Sequence, residues 1–132
     1  EAVFNTNSGS GALEASDFSF SLSGGVATLS TATPTSISKN GNVYTLGISL
    51  SGTPDGNETL TVNPVDDSIY DASGKEASTD QSNNTVKLNV IAAISSTTIV
   101  DDNSTITVTI SAPVYNTNDA SGNLEVSDFV LS

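Results

Sequence analysis

Residues 1–21 read EAVFNTNSGSGALEASDFSFS, and residues 112–132 read APVYNTNDASGNLEVSDFVLS. When residue 1 is aligned with residue 112, the offset is 111 residues and 12 of the 21 positions are identical. Solenoid repeats have periods of about 20 to 50 residues, so a period this long indicates a self-contained domain rather than one layer of a stack. The repeat therefore predicts tandem modules.

Each module has the size of an immunoglobulin-like sandwich, which takes about 100 residues. Placing the boundary after the last apolar alternation predicts one module at residues 1–91 that lacks its first strands. Residues 92–132 then form the first strands of the next module, or strands that complete a neighbouring one. The expected architecture is an antiparallel immunoglobulin-like β-sandwich with modules of about 111 residues.

Apolar residues alternate with Ser, Thr and Gly through most of the chain, which is the period of a half-buried strand. The clearest case is 43–50, and Asn40-Gly41 before it predicts a hairpin turn. No stretch has helical periodicity, so the chain is predicted to be all-β. Residues 63–84 form a long, irregular connection of the kind that is often functional. The core is predicted to contain Phe18, Phe20, Leu22, Val26, Leu46, Ile48, Leu60, Val62, Val86, Leu88 and Val90.

Composition excludes several classes of function. The chain has no Cys, Met, Trp, His or Arg, and most nucleophilic, redox and transition-metal chemistry uses those side chains. We therefore do not expect an enzyme. Fifteen carboxylates against three lysines give a net charge of −12, which excludes nucleic acid as a partner because phosphate contacts need a basic surface. No apolar run approaches the roughly 18 residues of a membrane-spanning helix, so no membrane insertion is expected.

Three fragments resemble the bacterial immunoglobulin-like (Big-type) repeats found in tandem in large secreted or surface proteins. They are Ile110-Ser111-Ala112-Pro113-Val114, the Ser-Asp-Phe strings at 16–18 and 127–129, and Ile69-Tyr70-Asp71-Ala72-Ser73-Gly74. Lys75 stands where those repeats usually have Asn. The resemblance implies an extracellular or cell-surface role as a structural module of a fibre, filament or adhesin stalk, with adjacent copies as head-to-tail partners. The alternative is a carbohydrate-binding accessory domain.

The acidic composition leaves two interpretations of the carboxylates. They keep a secreted surface soluble by self-repulsion, or some of them bind Ca²⁺, whose ligands are oxygen atoms. The candidate calcium ligands are Glu14, Asp17, Asp66, Asp67, Asp71, Asp101 and Asp102. The alternative for Asp71 is a turn, because Asp71-Ala72-Ser73-Gly74 has Asp first and Gly fourth. A turn is likewise the alternative for Asp101 and Asp102.

The incomplete first module needs strands that resemble residues 92–111, because an open groove of backbone groups and apolar side chains is costly. One route is a longer covalent array. The other is donation of residues 92–111 from one chain to the next, which builds a filament by strand addition. The covalent array is favoured, since donation would bring residues 112–132 to the place that residues 1–21 already occupy.

Overall fold

The regular secondary structure of this chain is almost entirely short β-strands, joined by turns and irregular segments. A computed structural model describes residues 1–130 and contains eleven strands and two single-turn 3₁₀ helices in that range. The strands are β1 (Val3–Phe4), β2 (Phe18–Ser23), β3 (Thr28–Leu29), β4 (Ile37–Asn40), β5 (Val43–Leu46), β6 (Leu50–Ser51), β7 (Thr59–Pro64), β8 (Tyr70–Asp71), β9 (Thr85–Lys87), β10 (Ile94–Ile99) and β11 (Ile106–Ile110). The 3₁₀ helices span Ala15–Asp17 and Val126–Asp128. Every strand pair is antiparallel, so the prediction of an all-β chain is confirmed.

The chain divides into two compact units, Glu1–Asn89 and Val90–Ser132. Unit 1 contains β1 to β9 and unit 2 contains β10 and β11. Within the described range, no helix is both long enough and apolar enough to span a bilayer.

The largest sheet of unit 1 has the order β2-β7-β9. Apolar residues face one another across its central pairs, with Phe20 opposite Val62 and Leu22 opposite Leu60. The smaller sheets each have two strands, in the pairs β1-β8, β3-β6 and β4-β5. Sandwich packing of these sheets stays a prediction.

The β4-β5 hairpin lies where Asn40-Gly41 predicts it. Lys39 pairs with Tyr44 and Asn40 pairs with Val43, which leaves Gly41 and Asn42 as a two-residue loop. Strand β5 then ends at Leu46. It is shorter than the alternation at 43–50 predicts, because Leu50 leaves this hairpin and pairs with Leu29 instead.

The apolar core of unit 1 is small. Its buried members are Leu13, Phe20, Ala27, Leu60 and Ile69. The prediction is therefore correct for Phe20 and Leu60, and Phe18, Leu22, Leu46, Val62 and Leu88 are half-buried. It is wrong for a third group whose side chains are 39–70% exposed, namely Val26, Ile48, Val86 and Val90.

Val26 is exposed because the inward-facing positions of this segment are not the ones that its apolar residue predicts. Its side chain is 70% exposed, whereas Ala27 is buried and Leu29 is half-buried. The turn before it extends through Gly24 and Gly25, both with positive φ, so the inward positions of this strand are 27 and 29. Val86 has a different cause: it lies on β9, which is an edge strand of its sheet.

The alternation of Phe18, Phe20 and Leu22 predicts a strand at 15–22, but the strand in the structure begins later. Residues Ala15–Asp17 form a 3₁₀ turn, and the extended chain starts at Phe18. The long connection at 63–84 is less irregular than predicted, because β8 lies within it and pairs with β1.

Unit 2 contains one hairpin. Strands β10 and β11 pair from Ile99 opposite Ile106 to Ile94 opposite Ile110, with a register shift between Ile94 and Ser96. The connecting residues Asp101–Ser104 form the predicted turn, in which the Asn103 amide donates to the Val100 carbonyl.

Candidate functional site: a buried carboxylate and an apolar groove

Glu14 and Asp17 act together at the start of the first 3₁₀ helix. The backbone N–H of Glu14 donates to Asp17 Oδ2 at 2.7 Å, and the Asp17 N–H donates to the Glu14 carbonyl at 3.1 Å. Asp17 is buried and the Glu14 side chain is exposed. One carboxylate of the pair is therefore occupied in closing a helical turn.

Asp67 belongs to a small acidic group around a tyrosine. The Tyr70 hydroxyl donates to Asp67 Oδ1 at 3.4 Å, and the Asp67 N–H donates to Glu76 Oε1 at 2.6 Å. Burial raises the pKa of the Tyr70 phenol, and the negative charges of Asp67 and Glu76 raise this pKa further. The tyrosine therefore stays protonated at neutral pH. Asp66, the neighbouring candidate, is exposed.

Asp71 forms the turn that the sequence Asp71-Ala72-Ser73-Gly74 predicts. Its Oδ1 accepts the N–H groups of Ser73 at 2.7 Å and Lys75 at 2.9 Å. The Gly74 N–H donates to the Asp71 carbonyl at 3.1 Å, which is the hydrogen bond between the first and fourth residues of a β-turn. One side-chain oxygen of Asp71 is thus held by the backbone.

Asp101 and Asp102 lie in the turn of the unit 2 hairpin. Asp102 Oδ1 accepts the Ser104 hydroxyl at 2.6 Å and the Ser104 N–H at 2.9 Å. The bond from the Ser104 hydroxyl is the main reason that the pKa of Asp102 is lowered, and the Ser104 N–H adds to the shift. This geometry is that of an Asx turn.

The candidate calcium ligands form no recognisable metal site among the described residues. Across residues 1–130, no group of three or more acidic, His or Cys side chains is placed to hold a metal ion. Calcium normally takes six to eight oxygen ligands, and the described residues do not supply such a set. The calcium site stays a prediction.

The most buried carboxylate in the described range is one that the candidate set omits. Glu58 is 0% exposed. Its Oε1 accepts the N–H groups of Val26 and Ala27, each at 3.0 Å, and its Oε2 accepts that of Gly56 at 3.0 Å. The Asp55 N–H is shared between the two oxygens, at 3.2 and 3.1 Å. Four backbone amides therefore enclose this carboxylate.

These amides keep Glu58 ionised. The hydrogen bond from Ala27 is the largest effect, burial opposes it, and further amides help to lower the pKa from 4.5 to about 2. A carboxylate that is ionised at neutral pH and surrounded by donors has no proton to give and no free lone pair facing solvent. Its role is to fasten the turn before β3 to the turn before β7.

The sequence does carry a signal for this residue. Glu58 lies in phase with Leu60 and Val62, two residues apart each time, so alternation places it on the inward face of β7. Gly24-Gly25 and Asp55-Gly56 each indicate a turn in the sequence, and these residues supply or adjoin the donors. What the sequence alone did not indicate is that the two turns meet across more than 25 intervening residues.

An apolar groove opens beside β1. Two adjoining cavities, of about 440 and 420 Å³, share Val3, Leu13 and Tyr44 in their walls. We call this region the β1 groove and define it by Val3, Phe4, Leu13, Phe18, Ile37 and Tyr44. Apart from buried Leu13, these side chains are only half-buried. The Tyr44 ring lies 6.3 Å from that of Phe18, and Lys39 Nζ is 5.4 Å from its centre.

The two copies of the repeat have the same local conformation. Glu14 has φ −114° and ψ 166°, and its counterpart Glu125 has φ −116° and ψ 166°. The bond from Glu14 N to Asp17 Oδ2, 2.7 Å long, recurs between Glu125 and Asp128 at 2.8 Å. Asp17 is nevertheless buried, whereas Asp128 is exposed. The repeat is therefore encoded locally, and the two copies differ in what packs against them.

The loop before this turn is also reproduced. Thr6 Oγ1 donates to the Ser10 carbonyl at 2.6 Å, and Thr117 Oγ1 donates to that of Ser121 at 2.5 Å. Asp119 accepts the hydroxyls of Ser121 and Thr117, which lower its pKa, with Ser121 having the larger effect. Ser8 stands at this position in the first copy and makes the equivalent contacts with Thr6 and Ser10.

Comparison with known proteins identifies no relative. No protein-family description, curated protein or solved structure matches this chain. The features that indicate a role are therefore its own: the repeat of 111 residues, the β1 groove and the exposed hairpin of unit 2.

Proposed function

We propose that the chain is a structural repeat module of an extracellular bacterial fibre, surface filament or adhesin stalk. The observation that carries the proposal is the repeat, because its two copies share both sequence and local geometry. A domain duplicated in tandem adds length to a protein. Length is what a stalk or fibre shaft requires.

An immunoglobulin-like sandwich is the architecture that we propose for each module. Small antiparallel sheets with one apolar face must bury that face against another layer. The β2-β7-β9 sheet places Phe20 and Leu60 in the core, while Ser19 and Ser21 alternate with the inward residues. This alternation supports two-layer packing.

The engaged carboxylates favour a structural role over catalysis. Glu58 is enclosed by amides, and Asp71 and Asp102 each accept two hydrogen bonds from their own turns. A catalytic carboxylate needs an oxygen that faces a substrate pocket. The net charge of −12 fits a surface kept soluble by self-repulsion.

Calcium binding is a separate part of the proposal with its own test. Removal of the ion is expected to lower the melting temperature, because a ligand that binds the folded chain and not the unfolded chain stabilises the fold. Added calcium is expected to restore it. An unchanged melting curve at low ionic strength assigns the carboxylates to solubility alone.

The location and size of the native protein test the main proposal. An antiserum raised against this chain is used on intact source cells that are treated with a protease, with a cytoplasmic protein as the control. We expect the signal to be lost while the control remains, and the untreated antigen to run far above 13.4 kDa on a denaturing gel. A signal that is protected until the cells are lysed contradicts the proposal.

A further inference from the structure

The hairpin of unit 2 has one apolar face. Ile99 pairs with Ile106, Thr97 with Val108, and Ile94 with Ile110. The register shift at Ser95 is what brings Ile94 to the same side as the others, because without it alternation would place Ile94 on the opposite face. The opposite face contains threonine and serine.

Within the described part of unit 2, nothing covers this apolar face. Ile94, Ile99 and Ile106 are 61%, 60% and 52% exposed, and Val108 and Ile110 are half-buried. An isolated two-stranded hairpin is marginally stable in water at best, and three or more strands or a packing surface are needed. The hairpin therefore has the properties of a segment that is completed by another surface.

The β1 groove is a surface of matching character. The side chains that define it are aromatic or aliphatic, and polar residues such as Lys39 and Asn63 also line the two cavities. Val3 and Phe4 belong to β1, which pairs only with β8 among residues 1–130. An apolar groove that adjoins a strand with one free edge fits an incoming strand pair.

The repeat connects the hairpin to this groove. Val114 is the counterpart of Val3, and Ile110 at the end of β11 lies only four residues before it. In a module, a hairpin of this kind thus lies immediately before the β1 position. The surface on which it belongs is the one that β1 lines.

We infer that the β1 groove binds the apolar face of the β10-β11 hairpin from a second copy of this chain. The inference rests on the proposed function for the identity of the partner as another copy. The contact is heterologous, since the groove and the hairpin are different surfaces, so it leads to open head-to-tail assembly. Pro113 follows β11 closely and does not continue a hydrogen-bonded strand, so the donor chain can leave the acceptor there. Only the hairpin is then bound, and residues 112–132 of the donor do not need the place that residues 1–21 of the acceptor occupy.

Charge sets the conditions under which assembly occurs. Two copies with a net charge of −12 repel each other, and screening becomes effective at about 0.15 M salt, where the Debye length is roughly 8 Å. Assembly is therefore expected to strengthen as salt increases.

Sedimentation velocity of the full chain over a range of concentrations tests the inference. We expect the wild type to form larger species as concentration rises. The donor variant Ile106→Asp and the acceptor variant Val3→Asp each remain monomeric alone, and Ile37→Asp serves as a second acceptor variant with its change outside β1. Thr107→Asp, on the polar face of the same hairpin, assembles as the wild type does. Circular dichroism establishes that each variant is folded.

Mixing gives the decisive result. Ile106→Asp retains an intact groove and Val3→Asp retains an intact hairpin, so an equimolar mixture is expected to form a heterodimer that does not grow further. A wild type that stays monomeric at every concentration overturns the inference. That result does not bear on the proposed function, which is tested separately by the surface exposure and the mass of the native antigen. Assembly that Ile106→Asp abolishes but neither acceptor variant affects also overturns the inference, because hairpins would then be pairing with each other.

Discussion

Gly25 and Gly41 form a matched pair for measuring what the Glu58 contact is worth. Both have φ of 62°, in the left-handed region. A Cβ at Gly25 meets the carboxylate of Glu58, whereas a Cβ at Gly41 has nothing within 4 Å. Substitution by alanine therefore imposes the same backbone strain at both positions and a collision at only one.

Gly25→Ala and Gly41→Ala should lower the free energy of unfolding by different amounts, because only Gly25→Ala disturbs the amides that bind Glu58. An alanine held in the left-handed region costs about 1–2 kcal/mol, so Gly41→Ala should lower the free energy of unfolding by that amount. Gly25→Ala has the same cost, and in addition it displaces the Glu58 carboxylate from the buried N–H group of Ala27. A buried N–H group left without a partner costs about 1–3 kcal/mol. We expect a total of about 2–5 kcal/mol for Gly25→Ala.

Urea denaturation followed by tyrosine fluorescence provides the measurement, since the chain has no Trp and Tyr44 and Tyr70 lie in unit 1. The free energies of unfolding of the two variants should differ by more than 1 kcal/mol or so, at equal slope against urea. If they agree within about 0.5 kcal/mol, the reasoning is refuted. A double variant with Glu58→Ala checks the cause: in that background, Gly25→Ala should cost no more than Gly41→Ala.

Three further predictions concern pH, packing and calcium. The folded-state pKa of Glu58 is lowered from 4.5 to about 2, so its contribution to stability is present above about pH 4.5 and is lost as pH falls through 2. Glu58→Gln should therefore be less stable than the wild type at neutral pH, and urea midpoints should converge on acidification, with exposed Glu14→Gln as the control. A gap that is independent of pH contradicts this. Phe20→Ala, at a position 6% exposed, should cost about 3–5 kcal/mol, whereas Phe129→Ala, at 44% exposure, should change the unfolding of unit 1 by less than about 0.5 kcal/mol. Equal midpoints for these two variants would refute the assignment of the core. Chelation of calcium should lower the melting temperature of the chain, and scanning calorimetry with and without added calcium measures it.

Features that depend on neighbouring residues were predictable from the sequence. The β4-β5 hairpin follows from Asn40-Gly41, and the β10-β11 hairpin follows from the turn residues Asp101–Ser104 and the alternating run at 106–110. Their strands pair over short separations, so turn chemistry and period are sufficient to place them. The all-β class follows for the same reason.

Features that depend on distant residues were not predictable in this way. Ala27 is buried and Val26 is exposed, and the amides of both residues bind Glu58, which lies 31 and 32 residues further along the chain. Alternation gives the period of a strand but not its phase, so it does not tell which of Val26 and Ala27 faces inward. The same limit applies to the candidate calcium ligands, because spacing along the chain does not tell whether Glu14, Asp67 and Asp102 meet in space.

The conformation shared by the two repeat copies has a consequence for the order of folding. Its bonds join residues three or four apart, such as Glu14 with Asp17, whereas the β2-β7 sheet joins Phe18 with Pro64. Short loops close far faster than long ones, and the second copy holds this shape while Asp128 remains exposed. We therefore expect each copy to take its shape soon after it leaves the ribosome, before its distant strands are made. In a polypeptide of similar repeats, such early local closure reduces the time in which a strand can pair with the wrong neighbour.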